Sequence, residues 1–452
     1  MMRDPAFSLL ARPAPRTLRG MRVLVLGLGD TGLSMARWVE REGGIPRVAD
    51  TRAAPPRKPE YCGELRSGPF APELLEDVQM LAVSPGLALD QPLITEALHK
   101  DIPIVGDVEL FAWQNCSKVL AITGTNGKTT VTALTGHLLR AAGIDAEVAG
   151  NISPAVLDAS MKRASPPAAW VLELSSYQLE TTWSLAPQAA AVLNVSEDHL
   201  DRYGSLDDYA AAKARILEGA KLQIVNRDDA RTLAMTRAGS SVVTFGLDAP
   251  PSERDYGVRD GQLVRGSRVI IDAAALPIHG WHNAANALAA CALASAMDVP
   301  LEDLKAGLRS FRGLPHRLEL VATRRGVEWY DDSKGTNVGA TIAALKGLGR
   351  PTVLILGGDG KGQDFSPLRP VVAQFATTTL LIGRDAPLIE KALSGLRILR
   401  CPSLESAVEE AAASAKPGTA VLLSPACASF DMFRDYKHRG EAFAAAVRGL
   451  PA

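Results

Sequence analysis

Residues 119–139 read Val119-Leu120-Ala121-Ile122-Thr123-Gly124-Thr125-Asn126-Gly127-Lys128-Thr129-Thr130-Val131-Thr132-Ala133-Leu134-Thr135-Gly136-His137-Leu138-Leu139. A short β-rich apolar run enters a Gly-rich turn, and a helix-forming stretch leaves it. Strand, turn, Lys-Thr and helix, in that order, lay out a phosphate-binding loop. Gly124 and Gly127 free the backbone to close its N–H groups on phosphate oxygens. The helix N-terminus adds about half a positive charge, and Lys128 adds a full one. Thr129 puts a hydroxyl where a Mg²⁺ between phosphates would sit. The fit to G-x-x-x-x-G-K-[ST] is incomplete, because Ile122 stands at the first glycine position. With strand and helix both in place, the stretch predicts a site for ATP or a similar nucleotide, cradled by residues 124–130.

Outward from this loop, a chain of 452 residues exceeds one hydrophobic core and suggests two to four domains. Apolar residues make up 47%, enough for a sizeable core in each. The net charge of −1 gives no basic surplus for nucleic acid. Five scattered cysteines, at 62, 116, 291, 401 and 427, form no C-x-x-C pair. That argues for a reducing compartment and against a zinc or disulfide framework. No apolar run approaches the ~20 residues of a membrane span. The first twenty residues carry four Arg and three Pro and are expected to be a loose leader on a cytoplasmic protein.

Three α/β segments follow, expected over 21–113, 114–313 and 314–452. The first opens with a strand at Val23–Leu26, then Gly27-Leu28-Gly29-Asp30-Thr31-Gly32 and a second strand ending at Asp50. This is a βαβ unit with G-x-G-x-x-G and an acidic residue about twenty positions on. Taken alone, it reads as a dinucleotide site. Further strands at 80–83 and 102–106 make a small doubly wound, Rossmann-like sheet. In the second segment, near-continuous apolar runs at 170–174, 189–194 and 222–225 imply a parallel sheet buried on both faces. Residues 240–275 read as a small antiparallel patch, which makes this ATPase-like sheet mixed. The third segment has strands near 327–330, 352–357, 379–383 and 420–423 alternating with helices, another Rossmann-like sheet.

Several polar clusters fall at strand ends. Glu173 ends an apolar strand and is placed to hold Mg²⁺. Asn194-Val195-Ser196-Glu197-Asp198-His199-Leu200-Asp201 follows the next strand, and its simpler reading is a charged loop with a capping Asp. Lys213 sits on an Ala-rich helix, where a lysine is ordinarily solvated. Asn283 and Asn286 share a helix face, fit either to read a base edge or to cap. Leu314-Pro315-His316-Arg317, Asp331-Asp332-Ser333-Lys334-Gly335-Thr336-Asn337, Gly357-Gly358-Asp359-Gly360-Lys361-Gly362 and Ser424-Pro425-Ala426-Cys427-Ala428-Ser429-Phe430-Asp431 are the polar clusters of the third segment. Three of the four directly follow strands, which suggests one ligand-facing edge.

Together these motifs resemble the Mur ligases, which build the peptide stem of bacterial peptidoglycan. The resemblance rests on Gly-Thr-Asn-Gly-Lys-Thr-Thr, Glu-Leu-Ser-Ser-Tyr-Gln-Leu, Glu-Asp-His-Leu-Asp-Arg, His-Asn-x-x-Asn and Leu-Pro-His-Arg, and it covers nearly all of 21–450. The family's own loop is short between its glycines, which accounts for Ile122. Asp332-Ser333-Lys334-Gly335-Thr336-Asn337, the Gly-Gly-x-x-Lys at 357–361 and the Ser-Pro-Ala-x-Ala-Ser at 424–429 point to the branch that adds D-glutamate. The resemblance implies that the first domain binds UDP-N-acetylmuramoyl-L-alanine, with Asp30 and Thr31 on the diphosphate and Asp50, Thr51 and Arg52 on the uridine. Ser84 and Gly86 would line that cleft, and Asn151 would touch the muramoyl part. It implies two Mg²⁺ ions held by Thr129, Glu173, His199 and Lys213, with Lys213 carbamylated by CO₂. Asn286 would contact adenine, and Arg317 and Asp332 would reach ATP. Lys334, Thr336, Lys361, Ser429, Phe430 and Tyr436 would form the D-glutamate pocket, Tyr436 standing where the family commonly has Phe. The implied reaction is ATP-dependent amide formation through an acyl phosphate, by a monomer. Competing readings are a folylpolyglutamate synthase-like ligase, an NAD-dependent oxidoreductase resting on Gly27–Gly32 alone, and a non-catalytic ATP-driven binding protein.

Overall fold

The computed structural model describes residues 16–198, 202–237 and 239–451. Most of the expected leader, and His199 with it, lies outside the described residues. The chain forms two compact units. One holds residues up to 195, 199–245 and 289–304; the other holds 196–198, 246–288 and 305 onward.

The first unit begins with a five-stranded parallel sheet: β1 (Arg22–Leu26), β2 (Ile45–Asp50), β3 (Glu64–Ser67), β4 (Met80–Val83) and β5 (Ile104–Val105), in the order β3-β2-β1-β4-β5. Strand β1 is buried on both faces, as its unbroken apolar run requires. Val23 and Val25 enter one core cluster, while Leu24 and Leu26 enter the other. Helix α1 (Asp30–Arg41) follows directly on the Gly-rich turn. Gly32 is obligatory there, since a Cβ would lie 1.7 Å from the Gly27 carbonyl oxygen. The strand order reverses between β1 and β4, so the loops after them part to form a crevice.

The same unit carries six further parallel strands: β6 (Lys118–Thr123), β7 (Ala146–Gly150), β8 (Ala169–Glu173), β9 (Ala189–Val192), β10 (Leu222–Asn226) and β11 (Ser241–Phe245). Their order is β11-β10-β9-β6-β8-β7. Strand β11 corrects the sequence reading, which put residues 240–275 in one antiparallel patch. Its Val243 and Phe245 are buried and it pairs parallel to β10. Only β12 (Tyr256–Arg259), β13 (Gln262–Arg265) and β14 (Arg268–Asp272), in the second unit, form an antiparallel meander.

The second unit also holds a mixed sheet of β15 (Glu319–Arg324), β16 (Val327–Asp331), β17 (Thr352–Gly357), β18 (Ala376–Ile382), β19 (Ile398–Arg400) and β20 (Ala420–Leu423), in the order β15-β16-β20-β17-β18-β19. Only β15 is antiparallel to its neighbour. It is half exposed, and its three apolar residues, Leu320, Val321 and Ala322, are flanked by polar ones, so it lacks the long buried run that marks its partners. Along β17, Leu354 and Leu356 face one core cluster and Val353 and Ile355 the other.

Two acids on helix α2 (Asp107–Gln114) tie the first sheet's last element to the segment after β8. The Glu109 carboxylate accepts the Trp183 and Ser184 backbone N–H groups at 2.7 and 2.8 Å. Asp107 accepts Gln178 Nε2 at 2.9 Å, while its other oxygen is buried without a hydrogen-bond partner among the described residues. Burial pushes this carboxyl up to about 6, against the opposing bond from Gln178. The folded state therefore takes up a proton that the unfolded chain takes up only at lower pH. Wild-type stability relative to Asp107→Asn should rise as pH falls from 7 to 4.5, by roughly 2 kcal/mol. Urea unfolding of both proteins at the two pH values checks this, and parallel pH profiles would refute it.

Candidate functional site

The crevice at the β1–β4 switch point is a cleft of about 860 Å³ in the first unit. It is lined by all eight residues assigned above to the nucleotide-sugar substrate: Asp30, Thr31, Asp50, Thr51, Arg52, Ser84, Gly86 and Asn151. Ser84 Oγ donates to the Gly27 carbonyl at 3.1 Å, closing the base of the cleft. Asp50 accepts the Leu28 N–H at 2.7 Å and the Arg52 guanidinium at 2.6 and 2.8 Å. Those Arg52 bonds hold its carboxyl down to about 2. Both Asp50 oxygens are thus engaged by the chain itself, unlike the acidic residue that grips a ribose in a dinucleotide site. Arg37, Arg57 and Lys162 also line the cleft and were not singled out from the sequence. Arg57 donates to Asp30 at 2.6 Å and to Glu60 at 2.5 Å.

Beyond the cleft lies the phosphate loop. Helix α3 (Lys128–Ala141) begins at Gly127, whose φ of 83° is left-handed and favours glycine. Lys128 Nζ donates to the Gly124 and Thr125 carbonyls at 2.8 and 2.9 Å. The loop is braced by Asn194, a residue quoted above but given no role. Its side chain accepts the Asn126 N–H at 2.8 Å and donates to the Asn126 carbonyl at 3.1 Å, and its own carbonyl accepts the Thr125 N–H at 2.9 Å. The only sequence signal for this was its place at the end of an apolar strand beside β6.

Glu173 is 3% exposed rather than solvent-facing. One of its oxygens accepts Asn151 Nδ2 at 2.9 Å, and the other is buried with no hydrogen-bond partner among the described residues. Asn151 thus belongs to both the cleft and the carboxylate. An orphaned carboxylate oxygen next to a phosphate loop suits a divalent cation. Lys213, on helix α4 (Leu206–Ala214), is 1% exposed and so not the solvated residue its helix suggested. Its Nζ donates to the Gly124 carbonyl at 3.0 Å and lies 4.2 Å from the Tyr209 ring centre. The structure therefore gathers Lys128, Thr129, Glu173, Asn151 and Lys213 around one loop; His199 lies outside the described residues.

In the second unit, Asn283 is not an N-cap. It lies inside helix α5 (Trp281–Ser295), donating to the His279 carbonyl at 2.8 Å, and its side-chain oxygen accepts Asn286 Nδ2 at 3.1 Å. The loops after β16, β17 and β20 come together at one sheet edge. Asp332 accepts Ser424 Oγ at 2.7 Å and the Leu318 N–H at 3.2 Å, and burial pushes its carboxyl up to about 7. The Arg317 charge acts on this carboxyl in the opposite sense. Asp331 holds His316 Nδ1 at 2.7 Å, and this bond raises the imidazole above its ordinary value. Lys334 Nζ lies 3.9 Å from the centre of the Tyr436 ring, which opens helix α6 (Tyr436–Gly449). Asp359 and Ala428 exchange backbone bonds at 3.0 and 2.8 Å, which brings the Lys361 loop beside Ser429 and Phe430. Phe430 is 68% exposed and Ser429 is buried. Thr336 is tied to Lys334 by a backbone bond of 2.9 Å.

Asn194→Ala removes two side-chain bonds from the phosphate loop and leaves the Asn126 N–H to water. Binding of an ATP analogue by calorimetry should weaken about tenfold or more, matching a loss of roughly 1–3 kcal/mol. Unchanged affinity would show that the loop holds its shape without this brace.

Comparison with known proteins agrees with this geometry. Residues 21–106 match the Mur ligase MurD-like N-terminal domain, 122–294 the Mur ligase middle domain, and 316–427 the Mur ligase glutamate ligase domain. The UDP-N-acetylmuramoylalanine--D-glutamate ligase of Nitrosospira multiformis is 54% identical over 457 residues, 96% of this chain and 97% of that protein. The protein of the same name from Thiobacillus denitrificans is 53% identical over 462 residues, 96% and 98% of the two chains. Among solved structures, MurF from Acinetobacter baumannii superposes with a TM-score of 0.61 at 19% identity, covering 94% of this chain and 93% of that one. The UDP-N-acetylmuramate-alanine ligase MurC of Thermotoga maritima superposes at 0.60 and 19% identity, covering 95% and 99%. At that identity the two structures speak to the fold alone. Three matched domains in sequence, and relatives at half identity over nearly the whole length, make this chain a member of the Mur ligase family.

Proposed function

We propose that this chain is the ATP-dependent ligase that joins D-glutamate to UDP-N-acetylmuramoyl-L-alanine in peptidoglycan precursor synthesis. The observation that carries the reading is Asn151. It lines the nucleotide-sugar cleft and is bonded to Glu173 beside the phosphate loop. The far end of a substrate laid in that cleft would reach the place where a γ-phosphate is held. The folylpolyglutamate reading is not favoured beside relatives that carry the D-glutamate ligase name over nearly their whole length. The NAD reading rested on Gly27–Gly32 alone and is not favoured beside the same relatives.

In the proposed reaction, the L-alanine carboxylate of the substrate takes the γ-phosphoryl of ATP. The amine of D-glutamate then attacks the acyl phosphate carbon, releasing phosphate and forming the amide. An anion attacking an anion needs positive charge near the transferred group. Lys128, the α3 N-terminus and the loop N–H groups supply it. Mg²⁺, when bound, screens the phosphate charge further. Thr129 and Glu173 are the groups proposed to hold it, together with His199 and Lys213, for two ions. Lys128 and Lys213 both donate to the Gly124 carbonyl. Two ammonium groups on one oxygen repel each other and any divalent cation. Carbamylation of Lys213 would turn one of them into a carboxylate-like ligand, which supports that modification. Asn286, Arg317 and Asp332 are assigned to ATP from the motifs. Lys334, Thr336, Lys361, Ser429, Phe430 and Tyr436 are assigned to D-glutamate, whose two carboxylates ask for two cations at fixed spacing. The proposed domains are 21–113, 114–313 and 314–452, and the proposed form is a cytoplasmic monomer. No helix among the described residues is long and apolar enough to cross a membrane.

Steady-state assays and intact mass test this. Phosphate release with UDP-N-acetylmuramoyl-L-alanine should proceed with D-glutamate and fail with L-glutamate, L-lysine or meso-diaminopimelate. In the same assay Lys361→Ala should raise the KM for D-glutamate about tenfold or more while that for ATP moves little. Equal use of L-lysine, or an unmoved D-glutamate KM, would overturn the pocket. Lys213→Ala should lose about 100-fold or more in kcat, as for a group serving the transition state, and short carboxylic acids should restore part of it. Intact mass showing an unmodified amine in the fully active enzyme under bicarbonate would count against the carbamate.

A further inference from the structure

Helix α6 carries Arg439, whose side chain is only 1% exposed. It donates from Nε to Ser333 Oγ at 2.9 Å, from Nη2 to the Ser333 carbonyl at 2.8 Å and from Nη1 to the Cys427 carbonyl at 3.1 Å. All three acceptors are neutral, and no carboxylate forms an ion pair with Arg439 among the described residues. A buried guanidinium facing neutral oxygens gives up much of its hydration without full compensation. Burial indeed pushes it down to about 10. What the guanidinium supplies is a planar fork that fixes three oxygens on two separate loops.

Those loops are the ones assigned to the amino-acid substrate. Ser333 precedes Lys334 and Thr336. Cys427 precedes Ser429 and Phe430. Ser333 Oγ also donates to the Tyr436 carbonyl at 2.8 Å, and the Tyr436 ring lies beneath the Lys334 ammonium. One side chain therefore links the loop after β16, the loop after β20 and the aromatic platform under Lys334. An amine substrate with two carboxylates needs its partners held at fixed spacing, and an error of about 1 Å costs on the order of 100-fold.

We propose that Arg439 is a positioning residue of the D-glutamate pocket, setting the spacing between the Lys334 loop and the Ser429 loop without touching substrate. The proposal rests on the assignment of those loops to D-glutamate. Arg439→Lys keeps the charge and removes the fork. The KM for D-glutamate should rise about tenfold or more, while the KM values for ATP and the UDP-substrate stay within about twofold. Ser333→Ala should show the same selective rise, about threefold, and decides the matter if Arg439→Lys does not fold. All three KM values rising together in the variant that folds would make Arg439 a general core tie, and none rising would remove its role; either overturns the proposal. Lys361→Ala, measured in parallel, separates the two levels. A raised D-glutamate KM there, with Arg439→Lys and Ser333→Ala unmoved, sinks the positioning claim alone. An unmoved D-glutamate KM in Lys361→Ala sinks the pocket assignment, and the positioning claim with it.

Discussion

One carbonyl oxygen, that of Gly124, receives both the Lys128 and the Lys213 side chains. The two lysines arrive from different helices, and one of them is fully buried. The loop can bear both only because its backbone is held elsewhere. Gly127 takes the left-handed conformation that lets α3 start, and Asn194 clamps Asn126 from the neighbouring strand. The Glu173 oxygen that has no hydrogen-bond partner among the described residues is the matching negative element. A cation-rich loop beside such a carboxylate suits phosphate and a divalent metal.

The same logic of switch points organises the rest. In the first sheet, the chain order reverses beside β1, and the loops after β1 and β4 open a cleft there. In the second, β6 lies between β9 and β8, so the phosphate loop emerges flanked by Asn194 and Glu173. Asn151, after β7, joins cleft to carboxylate through one hydrogen bond. That bond depends on parallel strands delivering their loops to one edge.

The third sheet carries the loops proposed for D-glutamate, a dicarboxylate that must be oriented as well as bound. Those loops lie far apart in sequence and are joined by neutral hydrogen bonds to a buried guanidinium and by a backbone exchange between Asp359 and Ala428. Rigidity comes from the number of such ties, while Phe430 stands exposed beside them.

The phosphate loop, the parallel strands and the polar strand ends were legible in the sequence, because their signals are local. Apolar runs mark buried strands, and Gly-x-x-Gly-Lys-Thr needs only its neighbours to be understood. The family motifs carried the substrate residues into one list, and the cleft holds all of those assigned to the nucleotide sugar. Strands β3, β15 and β19 escaped notice, being half exposed and short of apolar residues, and so did the short β7. So did the parallel sense of β11, since pairing partners are not written in a strand's own residues. Lys213 looked solvated on an Ala-rich helix, and only packing against Gly124 and Tyr209 buries it. Asn194 and Arg439 acquire meaning only from residues 68 and 106 positions away. Sequence alone determined the buried strands with long apolar runs and the polar residues at their ends. Tertiary structure decided which of those groups meet, because burial and hydrogen-bond partnership are set by contacts that no local pattern encodes.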